Sequence, residues 1–142
     1  MARRRRAREV ALQLLYQVDL NPATDAYLLK QNIAELIEDP DLQDFCWHLL
    51  SGVLDRRDEL DEKITAAAEN WTIERMAPTD RNAIRIGAFE LYHESTPPRV
   101  AIDEAIELAR KYGSAQSSQF VNGILDQLFS QCGVEESAAD DA

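Results

Sequence analysis

VAIDEAIELARKYG, residues 100–113, is the stretch that settles the fold class. Ile102, Ala105, Ile106, Leu108 and Ala109 recur at three- and four-residue intervals, which places them on one face of an amphipathic helix. Ser95-Thr96-Pro97-Pro98 breaks the chain before it. Gly113 closes it and is the residue best suited to a left-handed C-terminal cap. The predicted helix therefore runs from about Val100 to Tyr112. A polar turn, Ser114–Ser118, follows, and Val121, Ile124, Leu125 and Leu128 then open another helix.

The same period continues upstream. Ala83, Ile84, Gly87, Ala88 and Leu91 mark a fifth helix after Pro78, with Thr79 or Asp80 as its expected cap. Trp71–Met76 reads as a connector, and Leu60, Ile64, Ala67, Ala68 and Trp71 as a fourth helix. The stripe Leu42, Phe45, Cys46, Leu49, Leu50, Val53 marks a third, capped by Asp41, with Gly52 placed for close helix packing. A second spans about Asp25 to Glu38, and a first about Arg6 to Leu20, stopped by Asn21-Pro22. With 5 Gly and 5 Pro in 142 residues and no β-branched runs, the expectation is an all-α fold, a compact bundle of about seven helices. One domain covers residues 1–131, with a basic arm over 1–8, and the acidic, apolar-poor segment 132–142 reads as a disordered tail.

Charge is distributed unevenly. MARRRRAR carries Arg3, Arg4, Arg5, Arg6 and Arg8. These are five of 15 Lys+Arg, so the remainder sets 10 basic against 26 acidic residues, a net charge of −16. Cations at a helix N-terminus oppose the macrodipole and repel one another, so the arm alone is expected to fray. A phosphate would reverse that balance. From composition, an RNA-binding arm and a solvated tail both stand. Residues 35–62 hold ten acids and two arginines, a net −8 that suits either docking of a basic protein or a solvated face. Tyr16 and Phe120 lie off the main apolar stripes, where each is either a stacking surface for unpaired bases or a partly buried edge residue.

Reaction chemistry is absent from the pattern. His48 and His93 have no second ligand at metal spacing, Gly113, Gly123 and Gly133 form no phosphate loop, and Ser117-Ser118 lacks a nucleophile elbow. No catalytic residue, metal or cofactor is expected. Cys46 and Cys132 form no CxxC and fit a reducing compartment. No apolar run approaches the ~20 residues of a membrane span and no signal-peptide apolar region follows the arginines, so a soluble cytoplasmic protein is expected.

Three runs carry a family likeness. RRRRAREVALQLLYQ (Arg3 to Gln17), Asp80-Arg81-Asn82-Ala83-Ile84-Arg85-Ile86 with Glu90-Leu91, and residues 100–113 followed by Ser117 and Phe120-Val121-Asn122-Gly123-Ile124-Leu125-Asp126 resemble, in order and spacing, the NusB family of bacterial antitermination factors. The likeness covers about residues 3 to 128. It implies two packed helical subdomains and a non-catalytic protein that binds the boxA element of nascent ribosomal RNA leaders. It also implies a heterodimer with the small-subunit ribosomal protein NusE, and through that complex contact with RNA polymerase and the other Nus factors.

By position, the resemblance assigns RNA binding to Arg3, Arg4, Arg5, Arg6 and Arg8, to Tyr16 and Phe120 near bases, and to Gln116 and Ser117 in the polar turn. It places Glu74, Asp80, Arg81 and Arg85 near the ribosomal protein. Many relatives are acidic just before Ser117, where this chain has Gln116; the change either removes a charge that would repel RNA or marks a contact this chain lacks. A similar helical domain precedes ribosomal RNA cytosine methyltransferases, so the alternative is an adaptor that binds protein and not RNA.

Overall fold

The computed structural model describes the side chains of residues 3–69 and 71–131; the expected tail, 132–142, lies outside them. The helices are α1 (Ala2–Leu20), α2 (Ala26–Leu36), α3 (Pro40–Asp55), α4 (Arg57–Ala67), α5 (Pro78–His93), α6 (Pro98–Tyr112) and α7 (Ser117–Asp141), with a 3₁₀ turn at Ile73–Arg75 before α5. No strand occurs among the described residues.

Helix α5 is the axis of the bundle. Every residue from Asn82 to Leu91 is buried, because α1, α3, α4, α6 and α7 all pack on it. A helix covered on all sides should be apolar all round. This one instead carries Asn82, Arg85 and Glu90, each satisfied by a partner on a different element. α1 with α2 and α3 forms one group of helices, and α4 to α7 the other; α1 and α3 join the second group by lying on α5. This is the expected pair of packed helical subdomains.

Two glycines permit the closest approaches. A Cβ on Gly52 would sit 2.2 Å from Cζ of Phe89, so the ring from α5 occupies the space a side chain on α3 would need. A Cβ on Gly113 would lie 2.3 Å from Oγ of Ser117. Gly113 has φ −98° and ψ −163°, an extended conformation and not the expected left-handed cap. Its role is to let the following turn fold back against the end of α6.

Several helix ends differ from the sequence reading. Asp39, not Asp41, caps α3 and accepts the Asp41 N–H at 2.8 Å. Pro40 becomes the first helical residue, a position where its missing N–H costs nothing and its φ is already helical. The same logic starts α5 at Pro78, so neither Thr79 nor Asp80 is its cap. Pro98 likewise opens α6 two residues earlier than predicted. Helix α4 ends at Ala67, and Glu69 takes the left-handed conformation (φ 47°) that turns the chain out of it. Trp71 is thereby released from the helix.

Candidate nucleic-acid interface

The arginine arm is helical from Ala2 onward rather than frayed. Carboxylates from three elements offset the repulsion. Arg5 donates from Nε and Nη2 to Glu104 of α6 at 3.0 and 3.1 Å, Arg3 pairs with Asp39, and Arg6 lies 3.8 Å from Glu9. The Arg4 guanidinium lies over the Phe45 ring, 4.5 Å from its centroid. The hydrogen bond to Glu104, then its charge, pushes the Arg5 guanidinium above its ordinary pKa. Arg3, Arg4, Arg5 and Arg6 all remain exposed.

Arg8 departs from the arm. It is 1% exposed and donates from Nε and Nη2 to Glu90 of α5 at 2.9 and 2.8 Å. It cannot meet a phosphate without opening the α1–α5 contact, so its place is in the core and not in the expected RNA-binding set. The reason is helical phase. Residue 8 lies on the face of Leu12 and Leu15, four and seven residues on, and every residue from Ala7 to Leu12 is buried, so α1 is enclosed on all sides at this level.

Two clefts lie beyond the arm. The first, about 260 Å³, is lined by Leu12, Gln13 and Tyr16 of α1, Thr79 of α5 and Tyr112 of α6. The second, about 330 Å³, lies between the segment 71–80 and the turn 114–120. Trp71 and Phe120 meet edge-to-face in it, ring centroids 5.8 Å apart, and the Arg75 guanidinium lies 5.7 Å from the Trp71 centroid. Gln116 is exposed on its rim. Ser117 is buried, and its Oγ accepts the Ser114 N–H at 2.8 Å, so it builds the turn. Asp80 also lines this cleft; it is only 9% exposed and its Oδ1 has no hydrogen-bond partner. An unmatched buried carboxylate oxygen costs on the order of 1–3 kcal/mol.

The structure thus brings Gln116 and Phe120 to one cleft, with Tyr16 in the next, joined through the adjacent residues Thr79 and Asp80. Asp80, expected near a protein partner, sits with the RNA set. Trp71 and Arg75 of the second cleft and Tyr112 of the first were not among the expected residues. Trp71 and Arg75, four residues apart, met the aromatic-near-arginine criterion applied to Tyr16, but the connector gave no period to show their facing.

The other partner residues divide. Arg85 is buried, donates from Nε and Nη2 to Asp61 at 2.8 Å each, and from Nη1 to Asn82 Oδ1 at 2.9 Å. Arg81 donates to Asp19 at 3.0 Å and to the Ile73 carbonyl at 3.3 Å. Both are spent on joining α1, α4 and α5, which removes Arg85 from any docking surface. Burial raises the Asp19 carboxyl, but hydrogen bonds from Asn82 and Arg81 and the charges of Arg85 and Arg81 outweigh it and hold the group below 3.8. Glu74 stays exposed, in a groove of about 410 Å³ with Asp58, Asp61 and Glu62. Asp58, Glu62 and Glu74 leave that groove acidic.

The histidines each meet a carboxylate: His48 pairs with Glu94, and His93 lies 3.1 Å from Glu59. Among the described residues no three His, Cys, Asp or Glu side chains group as metal ligands would, and no helix is long and apolar enough to cross a membrane. Burial pushes the Cys46 thiol up to about 12, so it is unreactive at neutral pH.

A NusB family model matches residues 5–130. The transcription antitermination protein NusB of Myxococcus xanthus (strain DK1622) is 43% identical over 133 residues, 90% of this chain and 95% of that protein. Its counterpart from Desulfatibacillum aliphaticivorans is 40% identical, over 97% of each. Among solved structures, T. maritima NusB superposes with a TM-score of 0.79 at 32% identity, over 89% of this chain and 90% of that one. A chain from a crystal structure of the antitermination factors NusB and NusE in complex with dsRNA gives 0.83 at 28% identity, over 92% and 98%.

Proposed function

The chain belongs to the NusB family, and on that premise we propose that it is a cytoplasmic transcription antitermination factor that binds boxA RNA in nascent ribosomal RNA leaders. NusE is its protein partner, and RNA polymerase and the other Nus factors are reached through that complex. The activity is recognition, not catalysis, and its output is suppressed termination in ribosomal RNA operons.

The observation that carries this reading is the second cleft. Trp71 and Phe120 offer aromatic surface, Gln116 stands on the rim, and Asp80 places a carboxylate in the cleft wall. Unpaired bases stack on aromatic rings and present amino and imino N–H donors along their edges. Arg3, Arg4, Arg5 and Arg6 supply the attraction, which is blind to sequence. Discrimination falls to the cleft. The acidic groove at Asp58, Glu62 and Glu74 gives NusE, a basic ribosomal protein, a docking surface away from the arginines.

The test is the affinity of the purified protein, alone and with NusE, for single-stranded boxA RNA, a scrambled strand and a duplex of the boxA sequence. Tighter binding to the single boxA strand is expected. Equal binding to all three sinks the base-reading role. Capture of NusE with no RNA binding in either state favours the adaptor reading.

A further inference from the structure

The seam between α1 and α6 leads from the arginine arm to the Tyr16 cleft, and two residues of α6 stand along it. We infer that Lys111 and Tyr112 form a nucleotide subsite with Tyr16, Lys111 holding a phosphate and Tyr112 one face of the base; the inference rests on the RNA-binding reading above.

The Lys111 side chain is 60% exposed, yet it is not free to wander. Its ammonium donates to Oε2 of Glu9 on α1 at 2.7 Å. Glu9 also lies 3.8 Å from Arg6, so its charge is already matched by two cations and does not repel a phosphate as a lone carboxylate would. An ammonium has three donors. One goes to Glu9 and a second lies toward the Tyr112 phenol, which leaves a donor for a phosphate oxygen. The same ammonium lies 5.4 Å from the centroid of the Tyr112 ring. A phosphate at Lys111 therefore places its own nucleotide beside that ring.

Tyr112 lines the cleft of about 260 Å³ with Tyr16 on the facing helix. Pockets for drug-sized ligands run from about 300 Å³ upward, so this cleft suits one small planar group. Leu108 and Ala109, buried one turn earlier, fix the end of α6 and hence the spacing of the two phenol rings. The competing account is that Lys111 only staples α6 to α1. A staple would affect stability and leave the salt dependence of RNA binding unchanged.

Lys111→Gln and Tyr112→Leu separate the two accounts in the full chain. Fluorescence anisotropy with labelled boxA RNA between 50 and 200 mM salt reads affinity and its log–log slope. K111Q should bind several-fold more weakly, with the slope shallower by about 0.7, one phosphate's share for a single strand. Y112L should bind about fivefold or more weakly with its slope unchanged, since stacking is not ionic. Crosslinks from thio-substituted RNA to the unaltered protein, mapped by mass spectrometry, should include the peptide holding residue 112, a readout independent of whether Y112L folds. If K111Q keeps the parent slope and affinity and no crosslink reaches residue 112, the subsite is overturned while the arginine edge and second cleft stand. If the unaltered protein itself fails to prefer boxA over the scrambled strand, the antitermination reading falls and takes the subsite with it.

Discussion

Arg8 and Glu90 face each other across the α1–α5 contact through two hydrogen bonds of 2.9 and 2.8 Å, with side chains 1% and 0% exposed. Thr96 donates a third bond to Glu90 at 3.0 Å. An arginine from the most basic stretch of the chain thus anchors the core. Breaking a buried pair by removing one partner leaves the other charge stranded, at a cost of about 3–5 kcal/mol.

Arg8→Ala or Glu90→Gln should therefore lower Tm by roughly 10 °C or more, taking about 3–4 °C per kcal/mol for a domain of this size. Circular dichroism melts of the two variants check this. A shift of only a degree or two would show that the pair is not structural.

The four exposed arginines should behave differently. Replacing Arg3, Arg4, Arg5 and Arg6 with alanine removes exposed contacts worth about 0–1 kcal/mol each at Arg3, Arg4 and Arg6 and leaves the buried Glu104 carboxylate without Arg5, so melting should fall by less than in the Arg8 variant, and most of the fall should trace to Arg5. RNA affinity should fall, and the log–log salt slope should lose at most about 2.8, four single-strand phosphates' worth. Anisotropy titrations across salt measure it, and an unchanged slope would show that these side chains do not meet phosphates.

Asp80→Ala separates stability from recognition at a single residue. The carboxylate has an orphaned oxygen, so its removal should leave Tm unchanged or raise it slightly. The preference for boxA over a scrambled strand should shrink several-fold. Loss of stability with intact discrimination would assign Asp80 to the fold alone.

Acid sensitivity should trace to Asp19. Its pKa is lowered in the folded chain from 3.8. The unfolded chain then binds the proton more readily, so the stability contributed by this group is fully present above about pH 3.8 and is lost as pH falls through the folded value. Asp19→Asn should be less stable than the parent at neutral pH, and the gap should narrow below that window. Chemical denaturation at pH 7 and pH 3 gives the two differences; a gap that stays constant would deny the carboxylate this role.

The amino-acid sequence by itself determined the helices, because the three-to-four-residue apolar period of runs such as Ile102–Ala109 is a local property. It determined that Gly52 had a packing role, and it carried enough matched positions, from Arg3 through Asp126, for the family likeness. Helix ends were less legible at Pro40, Pro78 and Pro98, where proline read as a break is in fact the first helical residue.

What only the tertiary structure decided is which charged side chains are free. Arg5 and Arg8 are three residues apart in one basic run, yet one faces solvent beside Glu104 and the other is enclosed with Glu90. Arg85, expected at a docking surface, is enclosed with Asp61, and Arg81 is partly buried against Asp19. These partners lie between 24 and 99 residues away along the chain. No local pattern encodes such pairings, because a charge is satisfied by whatever the fold brings within about 3 Å of it.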